Sequence, residues 1–531
     1  MKRTAAAAAA LAALVGVLAY APSSASAQTS APARAVAWKA CGTTSYPKLQ
    51  CAKLKVPLDY AHPAGRKITL ALSRIPHTAA KYQGPLVVNP GGPGGSGLTL
   101  AGFVASSLPK AVAAQYDVIG FDPRGVGDST PALDCVPGYW DPVRPDPVPH
   151  SKAEETANIK RAASFAKACG STYGSLLKHI DTISAVKDID SIRAALGAKK
   201  LNYFGYSYGT YLGSVYAKLF PQRVRRLVLD SIVDPTGVWY DDNIDQDYAF
   251  DARNKAFMAW IATYDSTYHL GTDPAKIEAA WYAVHEKLRT HPAGGTVGPG
   301  EFEDTFLPGG YYNGYWPYLA AGFASYVNDG DADALVSLYE DFAAVDAGGD
   351  NGFSIYSAVQ CRDAKWPRNW STWHRDTEKV YAKAPFLAWN NAWYNAACAF
   401  WPTSSLKPVD VSNSKLPPVL LFQATDDAAT PYSGGVTVHR LLKRSSLVVE
   451  EGGGNHGITL SGNQCLDDYL AAYLTDGSVP RSPGHTADAT CQKLPDPEPL
   501  TASATAPASA NSTAVPTAAD GGLHALLGTA R

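Results

Sequence analysis

Five short apolar runs recur along the chain: residues 85–89 (PLVVN), 116–121 (YDVIGF), 201–205 (LNYFG), 226–229 (RLVL) and 418–423 (PVLLFQ). None shows the strict apolar/polar alternation of a half-buried strand, so they read as strands covered on both faces, as in a parallel sheet. Between several of them the apolar period lengthens to that of a helix, as at 182–196 and 210–220. Strand and helix in alternation predict an α/β fold, with a mostly parallel sheet built by right-handed crossovers. One interval breaks the rhythm. From about residue 231 to 416 the text is aromatic-rich and helical and contains no comparable strand run. A crossover needs only a few tens of residues, so the stretch reads as an insertion between late strands. It is expected to form a large, mainly helical cap over the carboxyl edge of the sheet, where open α/β sheets bind their ligands.

The two ends of the chain have a different character. Lys2 and Arg3 precede an apolar run from Ala5 to Ala21, and Ala25-Ser26-Ala27 offers a small-residue cleavage site, which together predict a secretory signal peptide over 1–27. Residues 28–35 read as a linker or pro-segment. The Ala/Ser/Thr/Pro-rich stretch 497–531 has few large apolar residues and is expected to be disordered. Between these ends the organisation reads as core 36–235, cap 236–410 and core again 411–496. The mature protein is expected to be extracellular, with no membrane association once the signal is cleaved.

Charge and cysteine content narrow the function classes. Lys+Arg number 46 against 48 Asp+Glu, a net charge of −2. Without a basic excess to neutralise a phosphate backbone, nucleic acid is excluded as the expected partner. The eight cysteines all lie beyond the leader, an even count that suits disulfides in an oxidising compartment. Pairing each with its neighbour predicts Cys41–Cys51, Cys135–Cys169, Cys361–Cys398 and Cys465–Cys491. No CxxC or CxxH spacing occurs, so no metal site is expected.

The candidate chemistry lies at strand ends. Gly205-Tyr206-Ser207-Tyr208-Gly209 joins a predicted strand to a predicted helix, the setting that a G-x-S-x-G nucleophile turn requires. A serine nucleophile needs a base, and His456 sits in the Gly-rich loop Gly452–Gly457 after the apolar SLVVE. The base needs a carboxylate to orient it. Asp426 and Asp427 follow the run at 418–423, and spacing alone does not choose between them. The chain order Ser, Asp, His is that of α/β-hydrolases. Upstream, residues 89–97 (NPGGPGGSG) follow another strand run. The loop lacks the Lys-Ser/Thr ending of a phosphate-binding loop, and the amides of Gly92 and Tyr208 are expected to form an oxyanion hole. Residues 122–129 (DPRGVGDS) read as a structural turn in which Arg124 ties loops together.

Taken together, NPGGPGGSG at 89–97, FDPRGVGDS at 121–129, LNYFGYSYGTYLG at 201–213, DDAATPYSGG at 426–435 and GNHG at 454–457 resemble the secreted tripeptidyl aminopeptidases of filamentous actinobacteria. These lie in the proline-iminopeptidase-like branch of α/β-hydrolases. The resemblance runs over about 36–496 and includes the cap phrases DQDYAF at 245–250 and CRDAKWP at 361–367. Pro90 departs from the wider pattern, where a histidine commonly precedes the glycines. The resemblance implies an α/β-hydrolase fold, no cofactor, and release of tripeptides from peptides with a free amino terminus. A monomer is expected. Its D-x-x-T-P frame falls on Asp427, which implies a Ser207–Asp427–His456 triad. An esterase or lipase on the same triad is the alternative. A buried cationic amino terminus requires carboxylates, and Asp245, Asp247, Asp251 and Asp363 are the cap acids expected to supply them.

Overall fold

The computed structural model describes residues 36–500 and Leu523. The expected signal peptide at 1–27, the linker at 28–35 and nearly all of the tail lie outside the described residues. The frame is one ten-stranded sheet: β1 (Lys39–Ala40), β2 (Gln50–Pro57), β3 (Lys67–Ile75), β4 (Pro85–Asn89), β5 (Asp117–Phe121), β6 (Leu201–Ser207), β7 (Val224–Ile232), β8 (Val419–Ala424), β9 (Ser445–Glu451) and β10 (Ala489–Gln492). Its spatial order is β1-β2-β3-β5-β4-β6-β7-β8-β9-β10. From β5 through β10 every pairing is parallel, whereas β1, β2 and β3 add an antiparallel edge.

The five apolar runs coincide with β4 to β8, and β4 and β8 are buried at every position. The antiparallel edge escaped that pattern for a physical reason. In β2, buried Ala52 and Val56 and half-buried Leu54 alternate with Lys53 and Lys55, the signature of a strand with one face toward water. Helices Lys152–Tyr173, Thr182–Ala195 and Tyr208–Leu219 lie in the segments that link β5, β6 and β7. Their starts are marked locally: Ser151 accepts from the amide of Glu154, and Asp181 from that of Ser184.

Between β7 and β8 the described residues form helices and loops only, the longest helix being Tyr240–Thr263. The buried apolar side chains of this insertion divide mainly between two clusters. Phe257, Trp281, Phe302, Trp316 and Phe323 of its first part gather in one, together with Phe386, Leu387, Ala428 and Ala429. Phe353, Ile355, Trp366, Trp373 and Trp401 instead join the cluster that covers the sheet. The disulfide Cys361–Cys398 lies within this second part. The other disulfides join Cys41 to Cys51, Cys135 to Cys169 and Cys465 to Cys491.

The segment expected to be disordered from 497 begins ordered. Pro497 accepts a hydrogen bond from the Trp260 indole at 2.9 Å, and Glu498 accepts from the Tyr264 hydroxyl. A mostly buried indole N–H must find an acceptor, and the cap draws the chain onto its surface at that point. Among the described residues no helix is long and apolar enough to cross a membrane.

Candidate active site

Ser207 ends β6 and precedes helix Tyr208–Leu219 with φ 55° and ψ −129°, a conformation rarely held by a side-chain-bearing residue. The crowding around the turn explains its glycines. A methyl group at Gly205 would lie 2.5 Å from the Gly209 carbonyl oxygen, and one at Gly209 would lie 2.9 Å from that of Asn89. The Gly-rich loop after β4 crosses close above. At Gly91 (φ 102°) a methyl would meet the Ser207 Cβ at 2.8 Å and the Tyr208 nitrogen at 3.0 Å. Tyr208 opens its helix, so its amide has no intrahelical acceptor, and its ring is fixed by a 2.7 Å contact between its hydroxyl and Thr182 Oγ1.

Asp427 follows β8. Its carboxylate accepts from the amides of Ala429 and Thr430 and from Thr430 Oγ1. His456 Nδ1 lies 3.1 and 3.0 Å from the two carboxylate oxygens. Asp427 and His456 are almost wholly buried, whereas Asp426 is exposed. The pair faces the carboxyl ends of the strands, and Nε2 is the ring nitrogen left without a hydrogen bond to any described residue.

The loop carrying His456 is gripped from two sides. On the sheet side, Asp230 at the end of β7 accepts from the amides of Ile458 and Thr459, and Ser231 Oγ accepts from that of Gly457. Burial pushes the Asp230 carboxyl up to about 6. On the cap side, the His456 amide donates to the Tyr311 carbonyl at 2.8 Å, and the Asn313 amide donates to Asn455. The Tyr311 ring meets the imidazole edge-on.

Ser207 and Gly92 line one partly open cavity. The cap supplies Trp239, Phe250, Leu307, Tyr311 and Leu387, and Gln246 bridges to the core by donating to the Ala429 carbonyl. Three lining residues are acids, Asp234, Asp242 and Asp245, and the lining holds no lysine, arginine or histidine. Burial, then the negative charges of Asp234, Asp245 and Asp241, raise the Asp242 carboxyl well above the usual range. Its Oδ2 is buried without a hydrogen-bond partner among the described residues.

Comparison with known proteins agrees with this architecture. The alpha/beta hydrolase fold family matches residues 84–461. A tripeptidyl aminopeptidase of Streptomyces coelicolor is 43% identical over 480 residues, covering 87% of each chain. The chain belongs to the α/β-hydrolase family. A serine protease, Hip1, of Mycobacterium tuberculosis is 34% identical over 84% of this chain and 90% of its own. A carboxylesterase B of the same species is 31% identical over 83% and 88%. Among solved structures, a proline iminopeptidase of Mycobacterium smegmatis shares 16% identity and a TM-score of 0.38, covering 80% of this chain and 98% of that one.

In this α/β-hydrolase the four cap acids expected to meet an amine separate. Only Asp245 lines the cavity with Ser207. Asp247 turns inward to accept from Asn391 and borders a second, smaller cavity beside Trp366 and Trp373. Asp251 is paired with Lys255 at 2.6 Å. Asp363 lies beneath the serine turn, where it accepts from the amide and hydroxyl of Thr182. The cause is helical phase. Asp242 and Asp245, three apart, share one face of helix Tyr240–Thr263, and Asp247 and Asp251 share another. Asp234 and Asp242 were legible only as two acids among several. Asp230 and Ser231 carried no motif of their own, whereas Thr430 is the threonine of the D-x-x-T-P frame. Arg124 is buried and paired bidentately with Asp188, far in role from any substrate contact.

Proposed function

We propose that this α/β-hydrolase is a secreted serine peptidase that releases tripeptides from the free amino termini of its substrates. Ser207 is the nucleophile, His456 the general base and Asp427 the residue that fixes its tautomer. With Nδ1–H held by Asp427, Nε2 carries the lone pair that takes the Ser207 proton as Oγ attacks the scissile carbonyl. The amides of Gly92 and Tyr208 receive the developing oxyanion. Imidazolium then protonates the departing amine, leaving an acyl-enzyme. Water, deprotonated by His456, cleaves that ester and restores Ser207. No step calls for a metal or organic cofactor.

The observation that carries the exopeptidase reading is the acidic lining of the serine's own cavity. Asp234, Asp242 and Asp245 stand there without a cationic side chain among the lining residues, so a protonated amino terminus is the charge that complements them. The similarity to a tripeptidyl aminopeptidase supports the three-residue spacing. Four disulfides support an oxidising destination.

The test is to present one peptide with its amino terminus free or acetylated and to identify released fragments by mass. Tripeptides released from the free form, with acetylation lowering kcat/KM about a hundredfold or more, match the loss of one buried charge pair. Equal cleavage of both forms overturns the exopeptidase reading. Turnover of simple acyl esters far above that of peptides moves the assignment to an esterase.

A further inference from the structure

Arg253 is a buried cation outside the reaction cavity. It sits on cap helix Tyr240–Thr263, 8% exposed, with its guanidinium over the Trp316 ring at 4.8 Å. Nε and Nη2 are buried and make no hydrogen bond to any described residue. What the guanidinium does touch is the loop of His456. A methyl group at Gly454 would stand 2.3 Å from Arg253 Cζ, 2.4 Å from Nη1 and 2.6 Å from Nε. A side chain at this position, two residues before the histidine, would displace the guanidinium. Three carboxylates, Asp426, Asp496 and Asp427, oppose its charge.

A cation buried without a direct ion pair is costly, and a cap held by apolar contacts alone could do without it. We propose that Arg253 is a positioning residue for His456, packed against Gly454 from the cap while Asp230 and Ser231 hold Gly457 to Thr459 from the sheet. The loop lies between the two grips. Asp427 sets the direction of the imidazole, and the arginine sets the height of the backbone that carries it. The cap thus completes the base as well as roofing the substrate. This rests on the reading of His456 as general base.

The test compares two substrates in Arg253→Met. One is a peptide with a free amino terminus. The other is a small activated acyl ester, which needs the serine machinery but not the acidic lining. A positioning role predicts that kcat falls tenfold or more on both substrates, by the same factor, with KM changed less than about twofold because Arg253 does not line the cavity. Gly454→Ala, which displaces the guanidinium while leaving it in the protein, should reproduce the equal loss. The double variant should fall no further than the worse single one, since both act through one contact. Ester turnover within twofold of wild type in folded Arg253→Met overturns the proposal, as does a loss confined to the peptide. Should Arg253→Met not be recovered folded, Gly454→Ala gives the same reading, and unchanged ester turnover there is equally fatal. His456→Ala separates the two levels. If it retains turnover, the general-base reading itself fails; if it is inactive while Arg253→Met is not, only the positioning role does.

Discussion

The backbone N–H of His456 donates to the carbonyl oxygen of Tyr311 at 2.8 Å, so a residue of the inserted cap holds the histidine that faces Asp427. Here the cap and His456 are one connected structure. Disturbance of the cap is therefore expected to reach kcat as well as binding.

Asp427→Asn should cost roughly 10⁴-fold in kcat, because an amide in that position permits the wrong histidine tautomer. Asp426→Asn, an exposed neighbour that does not touch the imidazole, should stay within about tenfold. Ser207→Ala should remove nearly all turnover without loss of folding. Steady-state kinetics on one peptide, with circular dichroism as the folding control, checks all three. A reversed order for the two aspartates would mean that the hydrogen bond to His456 is not the catalytic one.

Asp242→Asn should lower discrimination between free and acetylated peptides. The carboxylate has a buried oxygen without a partner and lines the cavity with Ser207. Removing one member of a buried charge pair costs about 3 kcal/mol or more, so the ratio of kcat/KM values should shrink about a hundredfold. Turnover of a small ester should be unchanged. Asp251→Asn, whose carboxylate is engaged by Lys255, should leave the ratio untouched.

Asp363 makes stability depend on pH. Burial first, then the charge of Asp181, pushes its carboxyl up to about 7, against about 3.9 in an unfolded chain. The folded protein thus holds a proton that the unfolded chain has released between these values. Its contribution is full below about pH 4 and is lost as pH rises through the folded value near 7. Asp363→Asn should flatten the fall in Tm over that window, measured by calorimetry at matched ionic strength. An unchanged slope would remove Asp363 as its source.

Replacing Cys361 and Cys398 by alanine should destabilise the second part of the insertion, which packs with the sheet. Loss of a native disulfide typically costs about 2–5 kcal/mol in small domains, and a lowered Tm should accompany faster proteolysis between residues 361 and 398. Mass mapping of the purified protein that found all eight cysteines as free thiols would contradict the expected oxidising compartment.

The sequence by itself determined the parts of this hydrolase whose physics is local. Unbroken apolar runs need cover on both faces, which made β4 to β8 legible as a parallel sheet. Glycines at 205 and 209 mark a turn that admits no side chain, so Ser207 was legible as well. Tertiary structure decided what depends on helical phase and on distant partners. Asp242 and Asp245 face the cavity while Asp247 and Asp251 do not, because a few residues along one helix turn a carboxylate away. That Asp427 rather than Asp426 meets His456 was already implied by the D-x-x-T-P frame; the fold supplies the reason, since the strand end buries one and leaves the other in water. Arg253 reaches Gly454 across 201 residues of chain, a contact that no local pattern encodes. Such a pair exists only once the core packing has brought its two segments together.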